Sequence, residues 1–286
     1  MQIIPTLRVS QACKESPERA QWLAELPRVA AETSQRWGVT LDRSFDDATC
    51  SFVAKARRPD GSPAVLKIAM PHFEGEHEVD GLLFWNGNPT VRVLAHDRAL
   101  HAMLLEYCGG SRAVRTLPEP EQDHVIAGLL RRMWRTPPPP HPFRTLSSMI
   151  SRWCHETRVR EDAWPDTGLV RAGLREFEDL ARSDTSSTLL ATDLHAGNVL
   201  RAEREPWLAI DPKPFVGDPA YDATQHLLNC RERLRSDASS MVGRFAAMLD
   251  VDAERVRRWL FARLAAEPRE EWTATEPLMV ARALAP

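Results

Sequence analysis

The sequence predicts an α+β protein of two lobes, a small one built on an antiparallel sheet with a helix and a large, mostly helical one. Three observations predict it. Short β-rich runs joined by turn residues fill the chain up to residue 107, helical apolar periodicity dominates from there on, and the glycines at 109 and 110 suit a hinge between the two regimes. The division therefore falls between residues 1–107, an N-terminal extension with a small lobe, and residues 108–286, the large lobe. At 286 residues, 43% hydrophobic and 27% charged, the chain can bury a substantial core.

Residues 1 to about 38 read as helical. Ser16 followed by Pro17 is a start signal, Trp22, Leu26 and Val29 share one face, and Pro27 is expected to bend or divide the helix. CSFVAKA and AVLKIA flank the turn residues Pro59, Asp60 and Gly61, which predicts an antiparallel hairpin. Lys67 lies in its second strand between Leu66 and Ile68, so its side chain alternates to the face opposite theirs, toward solvent or a bound group. EGEHEVDGLLFWNG then forms a helix with Val79, Leu82 and Leu83 in its apolar stripe, and VRVLAHD and HAMLLEY form two more strands.

Beyond the glycines, Ile126, Leu129, Leu130 and Met133 keep helical spacing within residues 121–135. PPPPHP is an extended connector. Phe143, Leu146, Met149, Ile150 and Trp153 start another amphipathic helix, which carries Glu156 and leads to a loop with Glu161, Asp162, Trp164 and Asp166. Val256, Trp259, Leu260 and Leu264 form a core stripe capped by Asp252. Cys108, Trp153, Trp164 and Trp207 read first as core, because large apolar side chains gain most by burial.

The chemistry concentrates in LLATDLHAGNVL and WLAIDPKPFVGDPAYD. Asp193, Asn198 and Asp211 stand at the spacing of the catalytic-loop Asp, the metal-binding Asn and the second metal-binding Asp of protein kinases. A carboxylate accepts the proton of an attacking hydroxyl, while an amide oxygen and a second carboxylate suit magnesium. NVLRA and WLAID, separated by REREP, are expected to form a hairpin that returns Asp211 toward Asn198. Lys67 would reach nucleotide phosphates, with Glu78, or else Glu76, as its carboxylate partner. His195 is expected to support the loop structurally, Asp218 to cap a helix that begins at Pro219, and Asp222 to face either an acceptor pocket or solvent.

DLHAGNVL, AEREPWLAIDPKPFVGDPAYD, AVLKIAMP and VRVLAHD together resemble the aminoglycoside phosphotransferase family, in the group of streptomycin 6-kinases and hydroxyurea phosphotransferases, over residues 37–235. The resemblance implies a two-lobed protein-kinase-like fold that uses ATP, with GTP left open, and Mg2+. It implies transfer of the γ-phosphoryl group to a hydroxyl of a small molecule, led by a cationic aminocyclitol such as streptomycin and so tied to antibiotic resistance. Asp193 would be the catalytic base; Lys67, Glu78, Thr49, Glu106 and Cys108 would meet the nucleotide; Asn198 and Asp211 would hold the metal; Glu156, Asp222 and Trp164 would join Asp193 at the acceptor.

Two segments depart from the family pattern. Ala191 and Thr192 precede Asp193 where many relatives carry a histidine two positions before it, and the expected nucleotide loop, Asp46, Asp47, Ala48 and Thr49, contains no glycine. A catalytically silent nucleotide-binding protein, a kinase of hydroxyurea or another metabolite, and a metallohydrolase built on Asp193, His195, Asp211 and His226 are the competing readings. The last leaves Lys67 without a role.

A net charge of -3 with no basic stripe argues against nucleic acid as a partner. The five cysteines are odd in number and without a CxxC pair, so reduced thiols in the cytoplasm are expected. No export signal or membrane span is expected from the sequence, and a monomer or a homodimer is equally compatible with it.

Overall fold

Ser16 opens the first long helix by accepting a hydrogen bond from the Arg19 amide, and Gly38, at φ 64°, closes it in the left-handed conformation that favours glycine. A computed structural model describes residues 7–14, 16–45, 48–109, 114–269, 272 and 276–286. A short helix α1 (Leu7–Ala12) precedes this long one, α2 (Pro17–Trp37). Pro27 lies inside α2 without dividing it, contrary to one of the two outcomes the sequence suggested. Burial of Leu26, Val29, Ala30 and Thr33 on one face offsets the hydrogen bond that proline removes.

Strands β1 (Thr40–Ser44), β2 (Ser51–Arg57) and β3 (Pro63–Ala69) are followed by helix α3 (Glu78–Trp85) and by β4 (Val93–Asp97) and β5 (Ala102–Glu106). They form one antiparallel sheet in the order β1-β2-β3-β5-β4. The β2–β3 turn is the expected one, with Gly61 at φ 81° and Asp60 accepting from the Ser62 amide. Leu26, Val29 and Ala30 of α2 pack against Phe52, Ala54, Leu66, Ile68 and Ala102, covering one sheet face. Lys67, paired in register with Val53 and Met103, therefore presents its side chain on the other face.

The chain continues through α4 (Glu119–Met133), α5 (Leu146–Arg158), α6 (Thr167–Ser183), β6 (Thr188–Leu190), β7 (Val199–Leu200), β8 (Leu208–Ala209) and β9 (Phe215–Gly217). Helices α7 (Pro219–Asn229), α8 (Arg231–Leu249), α9 (Ala253–Ala266) and α10 (Glu276–Leu284) complete it. Caps follow sequence chemistry. Thr145 accepts from the Ser148 amide at the start of α5, so that helix begins after Phe143; Asp218 caps α7 ahead of Pro219, and Asp252 caps α9.

Two compact units result, one of residues 1–111 with 201–210 and one of residues 112–200 with 211–286. A linear division at residue 107 does not describe this, because residues 201–210 belong with the sheet: the Ala209 amide donates to the Pro89 carbonyl and the Val91 amide to the Ala209 carbonyl, at 3.0 and 3.1 Å. The core of the helical unit is aromatic. Trp153 meets Phe177 and Tyr221, and both of those meet Trp259, with ring centroids 5.3–6.3 Å apart. Gly173 lets α6 approach α9, since a Cβ there would stand 2.7 Å from that of Ala265.

Candidate active site

In the sheet unit, Lys67 Nζ donates to Glu78 Oε1 at 2.6 Å. Both residues are buried, and α3 supplies the carboxylate from its first helical position. Glu76 is exposed, so the structure chooses between the two candidates.

In the helical unit, β6 pairs antiparallel with β9, from Thr188 opposite Gly217 to Leu190 opposite Phe215. This pairing sets the loop that leaves β6 at Ala191 beside the segment that enters β9 from Asp211. The Lys213 amide donates to the Ala191 carbonyl at 2.8 Å, and the Thr192 hydroxyl donates to the Lys213 carbonyl. Thr192 and Asp211 both adopt the left-handed region, at φ 49° and 53°, a conformation that non-glycine residues hold only when their surroundings over-determine it. For Thr192 the determinant is Asp222, whose carboxylate accepts the Ala191 and Thr192 amides and the Trp134 indole at 2.9, 2.6 and 2.9 Å.

Asp193 follows directly. Its Oδ1 accepts from Gln225 Nε2 at 2.7 Å, and Asn198 Nδ2 donates to its backbone carbonyl at 3.0 Å, with Oδ2 3.4 Å away. Burial pushes the Asp193 carboxyl up to about 6, with Lys213 opposing and Asp211 adding to the rise. His195 Nδ1 accepts from the Gly197 amide at 3.1 Å, which leaves the proton of the neutral ring on Nε2, 4.0 Å from Asp193 Oδ1. Burial lowers the His195 pKa, so a neutral, loop-supporting histidine fits the expectation. A Cβ on Gly197 would stand 2.7 Å from that ring, which is why the turn takes glycine.

The donors suit a hard divalent cation. Asn198 turns its NH2 toward a carbonyl, a group that can only accept, which sets its amide oxygen, a donor atom of the type that suits such a cation, at the other end. The Asp211 carboxylate is about a third exposed, 36%, and already gathers positive charge, with Lys213 Nζ 2.6 Å from its Oδ1.

Several expected site residues stand elsewhere. Asp222 is a correction: it is 1% exposed and spent on the Ala191 and Thr192 amides and the Trp134 indole, so it faces neither an acceptor nor solvent. Trp164 is buried with its indole donating to the Thr157 carbonyl, in line with its core reading and against its candidacy at the acceptor. Glu156 lies on α5 in an ion pair with Arg152. The Glu106 side chain is committed to Arg204, and burial pushes the Cys108 thiol up to about 12, leaving only main-chain groups of these two for a nucleotide. Thr49 is exposed ahead of β2; Asp46, Asp47 and Gly110 lie outside the described residues. His226 pairs with Asp123 at 2.8 Å, and Arg233 holds both oxygens of that aspartate at 2.6 and 2.8 Å. An arginine already supplies the charge a metal would bring there, and the grouping of His226 with Asp193 is not formed.

Reading the sequence alone missed Lys213, Gln225 and Arg263. Gln225 lies three residues after Asp222, one turn along the same helix, and Arg263 is a charge inside the apolar run of α9; both were legible as departures from core periodicity.

The family model for aminoglycoside/hydroxyurea antibiotic resistance kinases matches residues 36–269. A streptomycin 6-kinase of Streptomyces griseus is 35% identical over 257 residues, covering 86% of this chain and 83% of that one. A hydroxyurea phosphotransferase of Kitasatospora aureofaciens is 31% identical over 253 residues, covering 85% and 72%. Among solved structures, choline kinase from Streptococcus pneumoniae superposes with a TM-score of 0.61 at 12% identity, covering 91% of this chain and 97% of that one, a likeness of fold. No helix among the described residues is long and apolar enough to cross a membrane. The chain belongs to the aminoglycoside/hydroxyurea antibiotic resistance kinase family and is a small-molecule kinase of two-lobed, protein-kinase-like fold.

Proposed function

We propose that this protein transfers the γ-phosphoryl group of ATP to a hydroxyl of an aminoglycoside of the streptomycin kind, and so confers resistance to it. The observation that carries the reading is the Asp193 carboxylate, fixed through Oδ1 by Gln225 beside an Asn198 whose NH2 donates to the Asp193 carbonyl. The acceptor class rests on the relatives: two streptomycin 6-kinases at 35% and 33% identity over most of the chain.

In this reading Lys67, held by Glu78, contacts the nucleotide phosphates. Asn198 and Asp211 would hold magnesium, which would supply positive charge to offset that of the phosphates. Asp193 orients the acceptor hydroxyl and takes its proton as the oxygen bonds to the γ-phosphorus and the bond to the ADP oxygen breaks. Positioning and electrostatics supply most of the rate, so the work of the protein is to keep these groups in place. A kinase that draws on ATP works in the cytoplasm, where its free cysteines stay reduced.

The test incubates purified protein with magnesium, ATP or GTP, and a panel led by streptomycin, other aminoglycosides and hydroxyurea, following ADP release and product mass against Asp193→Asn. Streptomycin gaining one phosphoryl group, with the variant slowed by on the order of 100-fold or more, supports the reading. Transfer to hydroxyurea alone would replace the acceptor, and no transfer to any member would overturn it.

A further inference from the structure

Gln225 is held at both ends. Its Nε2 donates to Asp193 Oδ1 and its Oε1 accepts from Arg263 Nη2, each at 2.7 Å. A primary amide fits a site either way round, so its orientation needs a cause. Arg263 has only donors and the Asp193 carboxylate only acceptors, and the flipped amide would set NH2 against guanidinium and carbonyl against carboxylate.

Arg263 is fixed in turn. It is 5% exposed, donates through Nη1 to Thr224 Oγ1 at 2.8 Å and through Nε to Glu267 Oε2 at 2.8 Å, and lies over the Tyr221 ring at 5.1 Å. A buried arginine in the last turn of α9 is costly for stability alone, and an apolar residue would pack there more cheaply. What this one adds is a rigid anchor whose far end, through one glutamine, reaches the reacting carboxylate.

We propose that Gln225, oriented by Arg263, is a positioning residue for phosphoryl transfer: it pins Asp193 by Oδ1 and so leaves Oδ2, with Asn198 Nδ2 at 3.4 Å, as the oxygen that meets the acceptor hydroxyl. The inference rests on Asp193 being the base. Asp222 and Gln225, one turn apart on α7, then divide the loop between them, the first holding its backbone and the second its working side chain.

The test pairs Gln225→Met, which keeps volume and removes the donor, with Gln225→Glu, which keeps the Arg263 bond and turns a carboxylate on Asp193. Each is measured alone and with Asp193→Asn, and crystal structures of wild type and variants are compared. Either variant should lower kcat on the order of 10- to 100-fold with KM for nucleotide nearly unchanged, and should slow Asp193→Asn no further. The Asp193 carboxylate should leave its wild-type orientation in the variant crystals. Unchanged kcat, an equal loss in the Asp193→Asn background, or an unmoved carboxylate would each overturn the proposal. If wild type phosphorylates nothing, the functional reading fails by itself, and the carboxylate's position in the variants still decides whether Gln225 holds it.

Discussion

Lys67 and Glu78 meet at 2.6 Å with only 6% and 3% of their surfaces left exposed. Charges withdrawn from water together are stable as a pair, whereas removing one leaves the other desolvated. Lys67→Met and Glu78→Ala should each cost about 3 kcal/mol in urea unfolding and abolish nucleotide binding. Glu76→Ala, on an exposed side chain, should stay within about 0.5 kcal/mol of wild type. Equal effects at residues 76 and 78 would remove Glu78 from its role.

The base proposed for the reaction, Asp193, works ionised, and burial pushes its carboxyl up to about 6. The rate constant kcat/KM for the acceptor should therefore fall about tenfold per pH unit below 6 and level off above it. Lys213 opposes the rise, so Lys213→Met should move this acid limb to higher pH. A pH–rate profile from 5 to 8 checks both, and a limb that stays put in the variant would sink the coupling.

The sheet unit and the loop around Asp193 were legible because their signals are local. Turn residues 59–61, alternation around Lys67 and the Asp218–Pro219 cap lie within a few residues of what they specify, and Asp193, Asn198 and Asp211 fall in one short stretch of chain. Contacts across long separations were not legible. Asp222 reaches Ala191 from 31 residues away, Arg263 reaches Gln225 from 38 and Arg204 reaches Glu106 from 98, and no periodicity encodes such meetings. Asp222 was misread for the same reason, and so was the candidacy of Trp164 at the acceptor beside its core reading: an acidic or aromatic residue near a site looks like a ligand group until its own partners are known.

Asp222 accepts three N–H donors at two oxygens, and an asparagine offers one acceptor oxygen and an NH2. Asp222→Asn must turn that NH2 toward at least one donor in a site closed to water. A loss of about 1–3 kcal/mol is expected. Because the donors include Ala191 and Thr192, turnover should fall while nucleotide affinity holds. Thermal unfolding with kcat and Kd measurements on the variant test this, and full turnover would show that the loop holds its shape unaided.

Arg204 binds residues 201–210 to the sheet unit through Glu106, at 2.7 and 2.9 Å, and through the Gly87 and Thr90 carbonyls, each at 2.7 Å. Burial raises the Glu106 carboxyl, but the hydrogen bonds from Arg204 and the Arg92 amide, with the charge of both arginines, outweigh it and leave Glu106 below the usual carboxylate range. A folded-state value below the unfolded one, near 4.3, contributes stability above that pH and loses it as pH falls through the folded value. Arg204→Ala should therefore cost about 2 kcal/mol at pH 7, and its deficit should narrow in acid, where wild type loses the same contribution. Urea unfolding of both proteins at pH 7 and pH 3.5 measures it, and a deficit independent of pH would assign the stabilisation to the two carbonyl contacts instead of the carboxylate.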